Sequence, residues 1–170
     1  DDGTIDAGFD TSATAANIPA GYSKSRRIGS VLTDGSANII GFVQNNDVFF
    51  RKASVQSYTA TNPGISAVTV TTQASPGSVA ILDFILFDGA GTTNMVGAIS
   101  DLATTDTAAG TANGQVALYA GTGDNAWASS EVQCQTDSSS QLRMRLSASL
   151  ATTVVYINTR GWIDTRGRLQ

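Results

Sequence analysis

Apolar and polar positions alternate with a period of two along most of the chain, and helical spacing is hard to find. The alternation is clearest over residues 141–150. Leu142, Met144, Leu146, Ala148 and Leu150 share one face there, and Arg143, Arg145, Ser147 and Ser149 the other. That is the pattern of a strand with one buried and one wet side. Residues 152–158 follow closely and are rich in β-branched and aromatic types, so the two stretches read as a hairpin, with a junction, Ser149-Leu150-Ala151, that lacks Gly and Pro. Residues 78–87 (SVAILDFILF) are apolar on both faces and are framed by Pro76-Gly77 and Asp88-Gly89, which predicts a central strand covered on both sides. Further strands are predicted over 26–32, 38–44, 48–52, 67–72, 94–100, 115–120 and 128–135. Thr33-Asp34-Gly35-Ser36 has the chemistry of a primed hairpin turn, and Asn45-Asn46-Asp47 that of a second turn. About ten short strands, with polar turns every ~8–12 residues, predict a sandwich or barrel. The expected fold class is all-β: an antiparallel, jelly-roll-like β-sandwich with little helix. Residues 21–170 are expected to form that single domain, residues 1–20 an arm or edge strand, and residues 104–113 a long exposed loop.

Composition narrows the chemistry. Charged residues make up 14% of the chain and hydrophobic ones 41%, the reverse of what disorder requires. There is no histidine, which excludes Ser-His-Asp and Cys-His catalysis and imidazole metal sites. Cys134 stands alone in the alternating stretch 131–135 and reads as a small buried hydrophobe. Ten Lys and Arg against fourteen Asp and Glu give a net charge of −4, which argues against nucleic acid as a partner. No apolar run approaches the ~18 residues that a membrane-spanning helix needs, so no membrane insertion is expected. No cofactor and no metal are expected either. The chain opens Asp1-Asp2-Gly3 without an initiator Met, as a piece of a longer protein would.

Candidate chemistry is sparse. Glu131 is the only glutamate, so acid–base work on a glycosidic bond would have to pair it with an aspartate, or use two aspartates. Most aspartates stand in turn contexts that explain them without catalysis. Asp83 is the exception, because it interrupts an apolar run and must face solvent or meet an Arg or a hydroxyl. Asp88-Gly89-Ala90-Gly91 resembles a phosphate loop, but no Lys follows it. Asp124 and Asn125 in the loop before Trp127 offer hydrogen-bonding groups beside an apolar platform, a combination suited to sugar recognition. Trp127 can equally plug the sandwich edge, and the loop oxygens can serve calcium, though without the spacing of an EF-hand. Arg143 and Arg145, with Gln141 in line, can bind an anionic glycan, pair across strands or line a subunit interface. The C-terminal stretch holds Arg160, Arg166 and Arg168 around Trp162 and suits docking on the sheet or on another subunit.

Ile18-Pro19-Ala20-Gly21-Tyr22, Arg26-Arg27-Ile28-Gly29-Ser30, Thr33-Asp34-Gly35 and Phe42-Val43-Gln44-Asn45, preceded by Gly3-Thr4-Ile5-Asp6, form a connected series. It resembles a segment that recurs in virion proteins of tailed bacteriophages. The match covers residues 3–52. Physically the motif reads as a hairpin, with Ile28 and Val31 or Leu32 supplying apolar contacts, Gly29 permitting close backbone approach and Asp34-Gly35 turning the chain. Arg26 and Arg27 are expected to pair with Asp6 or Asp10, or with a neighbouring subunit. The resemblance implies a β-sandwich domain of a tail fibre, spike or head fibre, usually a homotrimer. Its partners would be a host cell-surface glycan or protein receptor and other virion proteins. It would be made in the bacterial host cytoplasm and displayed on the particle surface. It carries over no catalytic residues. The alternatives are a carbohydrate-binding module of a secreted enzyme and, further off, a glycan-cleaving spike domain.

Overall fold

The computed structural model describes residues 7–11, 16–89, 94–110, 116–120 and 125–165. Among them are nine strands and no helix: β1 (Phe42–Asn45), β2 (Val48–Thr61), β3 (Val68–Thr71), β4 (Val79–Asp88), β5 (Met95–Ser100), β6 (Val116–Ala120), β7 (Ala126–Gln135), β8 (Gln141–Leu146) and β9 (Thr153–Ile163). They form two antiparallel sheets, ordered β1-β2-β9-β4-β7 and β3-β8-β5-β6. Without β1, the remaining eight strands have the order of a jelly roll, two Greek keys wound together. The expected fold class is therefore observed, with β1 added as a hairpin partner on the β2 edge.

The inner faces interdigitate around Leu82, Phe84, Leu86, Leu142, Met144, Leu146, Val155 and Ile157, each at 1% exposure or less. Phe84 of β4 fits because β5 places a glycine opposite it. A Cβ on Gly97 would stand only 2.6 Å from the Phe84 ring. Cys134 joins this core from β7. Burial, then the negative charge of Asp101, pushes its thiol up to about 11 from an ordinary value near 9.0. Raised in the folded state, this group stabilises the fold fully below pH ~9 and loses that contribution as pH climbs towards ~11. Cys134 is expected to resist a thiol reagent at pH 8 until urea unfolds the chain; rapid labelling of the native protein would contradict its burial.

Several sequence expectations need correction. Residues 141–150 and 152–158 do not form a hairpin. β8 stops at Leu146 and pairs with β3 and β5, whereas β9 pairs with β2 and β4 in the other sheet. The linker without Gly or Pro crosses between sheets instead of reversing within one. β4 is an interior strand but is covered on both sides only near its start: Ala80, Leu82, Phe84 and Leu86 are buried on the inner face and Ile81 on the outer one, while Asp83, Ile85 and Phe87 of the outer face are partly open. Residues 26–32 form no strand. No strand partner pairs with the chain there, and Ile28 is 69% exposed, so of the expected apolar contacts Leu32 supplies one to the core and Ile28 does not. The turn after it is real but differently built. Gly35 needs no positive φ; Ala37 takes it, at 62°. Ala37 N–H donates to Asp34 O at 3.0 Å and Asp34 N–H to Asn38 O at 2.9 Å, so a turn and a left-handed residue close the hairpin. The Asp34 carboxylate accepts from the Asn38 backbone N–H, the Asn38 side chain and the Ser36 N–H, and these bonds hold it below its usual value.

What residues 27–32 do is close the end of the sandwich where the second sheet runs out. Phe49 and Trp162 stack there at 5.3 Å and 4°, with Phe42 tilted against both. The segment is fastened to this cluster by side chains. Arg27 Nη2 meets Asp164 Oδ2 at 2.8 Å, and Trp162 Nε1 donates to Ser30 Oγ at 3.0 Å. At Gly29 a Cβ would lie 3.1 Å from the Phe49 ring, and Leu32 packs on the core. Arg27 thus finds an acid far along the chain, not the expected Asp10, which binds Asn17 instead. Asp6, the other expected partner, lies outside the described residues.

Candidate ligand-binding faces

Because Ala80, Leu82, Phe84 and Leu86 point inward, β4 turns Asp83, Ile85 and Phe87 to the outside. Register then fixes their neighbours. Phe87 faces Trp127 of β7 and Val154 of β9. Ile85 faces Ser129 and Tyr156, and Asp83 faces Glu131 and Asn158. The result is an outer face with aromatic residues at one end and charge in the middle. Trp127 leans on Phe87 with ring centroids 4.8 Å apart at 46°, and is itself 64% exposed. It projects from the sheet and does not plug the sandwich edge.

The charged row depends on an irregularity in β9. Thr159 pairs with Leu82 and Gly161 with Ile81, which leaves Arg160 between them as a bulge residue. Arg160 Nη1 lies 3.6 Å from Asp83 Oδ1 and 3.2 Å from Glu131 Oε2. One cation therefore bridges two carboxylates on adjacent strands. Asp83, the exception in its apolar run, meets its arginine here.

Arg143 and Arg145 lie on the opposite side of the molecule, on the outer face of the four-stranded sheet. Leu142, Met144 and Leu146 occupy the inner face of the same strand. Asp106 in the 101–110 loop takes Arg145 Nη1 at 3.1 Å and Arg143 Nε at 3.6 Å. Arg143 also donates to Thr104 O at 2.9 Å, and Arg145 to Ile65 O through two nitrogens. Both guanidiniums are committed to holding loops on the sheet. They share no surface with Trp127.

Asn125 is exposed and left-handed, with φ 58°, at the start of β7, while Asp124 lies outside the described residues. Nothing in the sequence points to Phe87 or Tyr156 as site residues, and Arg160, expected in a docking tail, lies inside β9 and pairs with Asp83 and Glu131. Alternation within β4 marks Phe87 as outward, but only register places it under Trp127. A shallow cleft of about 240 Å³ opens between the 33–39 hairpin and the end of β3, lined by Leu32, Ile40, Thr72 and Ser140 among others. Near it the Arg51 guanidinium donates to Gln73 O at 3.1 Å, while its Nε is buried without a hydrogen-bond partner. Among the described residues no group of three or more Cys, Asp and Glu could hold a metal ion.

No protein-family model matches this chain, and no curated protein matches it significantly.

Proposed function

We propose that this chain is a non-enzymatic attachment domain of a tailed-phage virion appendage, assembled as a homotrimer, that docks the particle on the host surface. The observation that carries the reading is the open outer face, where Trp127 stands 64% exposed against Phe87, with Ile85 and Tyr156 partly open in the next row. Aromatic residues with a polar handle are enriched at interfaces, and a contiguous exposed apolar surface marks an interaction site. The resemblance over residues 3–52 supports the same reading. Its Arg27, Gly29 and Ser30 fasten the segment to Trp162, Phe49 and Asp164, a structural task consistent with a motif that brings no catalytic groups. Association is favoured by the distribution of exposed apolar side chains. Phe9, Ile18, Ile28, Ile39, Val43 and Phe50 all fall in the first fifty residues, and Val43 and Phe50 are directly opposed on β1 and β2.

The test is binding of the labelled, intact protein to arrayed bacterial lipopolysaccharide, capsule and teichoic acid preparations, with its mass followed by light scattering. Retention on at least one polymer, at a mass near three chains, is expected. Retention as a single chain would favour a carbohydrate-binding module, and release of reducing ends would revive a glycan-cleaving domain. Absence of retention on all of them would overturn the attachment reading.

A further inference from the structure

We propose that the Trp127 end of the outer face binds a neutral or amine-bearing oligosaccharide, and that the Asp83–Glu131–Arg160 row sets this charge preference. The inference rests on the attachment reading and adds the ligand's chemical class. Trp127 offers a ring that leans on its cross-strand neighbour Phe87 and leaves an aromatic surface open to the C–H face of a sugar; the contact restricts the ring and lowers the cost of ordering it on binding. Ser129, Tyr156 and Asn158 line the next rows and supply neutral hydrogen-bonding groups. Along β7, Trp127 and Glu131 are four residues apart, ~13 Å, long enough for several linked rings and too long for one.

Charge decides among saccharides. The row carries two carboxylates and one arginine, a sum of −1, and Arg160 reaches one oxygen of each acid. Its cation is already engaged, so a uronate or phosphate approaching the row meets net repulsion. A hydroxyl or an ammonium group finds acceptors. The arginines that an acidic glycan would want are on the far side of the sandwich, held by Asp106.

Calorimetric titration of the intact protein with three soluble trisaccharides tests this: tri-N-acetylchitotriose, its deacetylated chitosan form and trigalacturonate. The first two should bind, and the acid at least about tenfold more weakly. Trp127→Ala should weaken the first two by about tenfold or more, the usual effect of truncating an aromatic anchor. The Asp83→Asn/Glu131→Gln pair should bring the acid to parity with the neutral sugar. Circular dichroism and native protection of Cys134 show that these surface variants fold. Silence with all three sugars, preference for the acid, or binding that Trp127→Ala leaves intact would overturn the proposal. A fall in assembled mass in Trp127→Ala would overturn it too, by assigning the face to a second copy. Retention on polymer arrays that survives Trp127→Ala would sink this inference and leave the attachment reading standing.

Discussion

Gly161→Ala should destabilise the protein by about 3 kcal/mol, one of the largest effects available to a single added methyl. Gly161 is buried in β9 and pairs with Phe50 on one side and Ile81 on the other. A Cβ built there would enter the van der Waals shell of the Phe49 carbonyl oxygen, and it would stand 3.1 Å from Phe49 C and Phe50 Cα. These are backbone atoms of the neighbouring strand, so no rotamer change relieves the clash. β2 and β9 would have to part where the stacked Phe49 and Trp162 rings hold them together. For a domain of this size the thermal midpoint should fall by ~6–12 °C. A shift under ~2 °C would mean that the two strands separate more easily than the close approach implies.

Trp162→Ala is expected to cost about 3–5 kcal/mol, the range for removing a buried large aromatic residue. The side chain is 1% exposed, stacks on Phe49, touches Phe42 and donates to Ser30 Oγ. Its loss should therefore also loosen residues that are remote in sequence. Lys24, Arg26 and Arg27 are trypsin sites beside the docked segment. Limited proteolysis in native buffer should cut there faster in Trp162→Ala than in wild type. Ile28→Ala, at a side chain 69% exposed, should change neither stability nor cleavage noticeably. Unchanged cleavage in Trp162→Ala would show that Arg27 and Asp164 alone hold the segment.

Strand positions were legible in the sequence wherever one face is buried, because burial enforces a period of two. β8 and β4 are the clear cases, with Leu142, Met144 and Leu146 and with Leu82, Phe84 and Leu86 alternating against polar or half-open positions. Residues 26–32 show the opposite. Their anchoring groups, Arg27 and Ser30, stand three positions apart and make single contacts, a salt bridge and a hydroxyl bond, that need no backbone ladder. A short run bounded by turn residues does not distinguish a strand from a strap held by side chains. The hairpin expected across Ser149-Leu150-Ala151 is absent for a related reason: alternation gives the faces of two strands but not the sheet that each joins. The same limit applies to the candidate face. Trp127, Asp83 and Glu131 were recognisable one at a time, whereas their grouping with Phe87, Tyr156 and Arg160 follows from register and from a bulge, which are long-range facts.

The strap also bears on how the chain reaches this fold. Arg27 and Asp164 are 137 positions apart, Ser30 and Trp162 132, and β9, the last strand in sequence, lies between β2 and β4 in the middle of its sheet. Until β9 arrives, β2 and β4 have no common neighbour, and the residues that hold the strap do not yet exist on a growing chain. Translation therefore has to pass Ile163 before the five-stranded sheet can close along its whole length. Loop closure over such separations makes folding slow and leaves unpaired edges open meanwhile. A chain cut short before Thr153 lacks the strand that joins β2 to β4, and one cut short before Trp162 lacks the side chains that hold residues 27–32, so complete folding certifies that translation went through to Asp164.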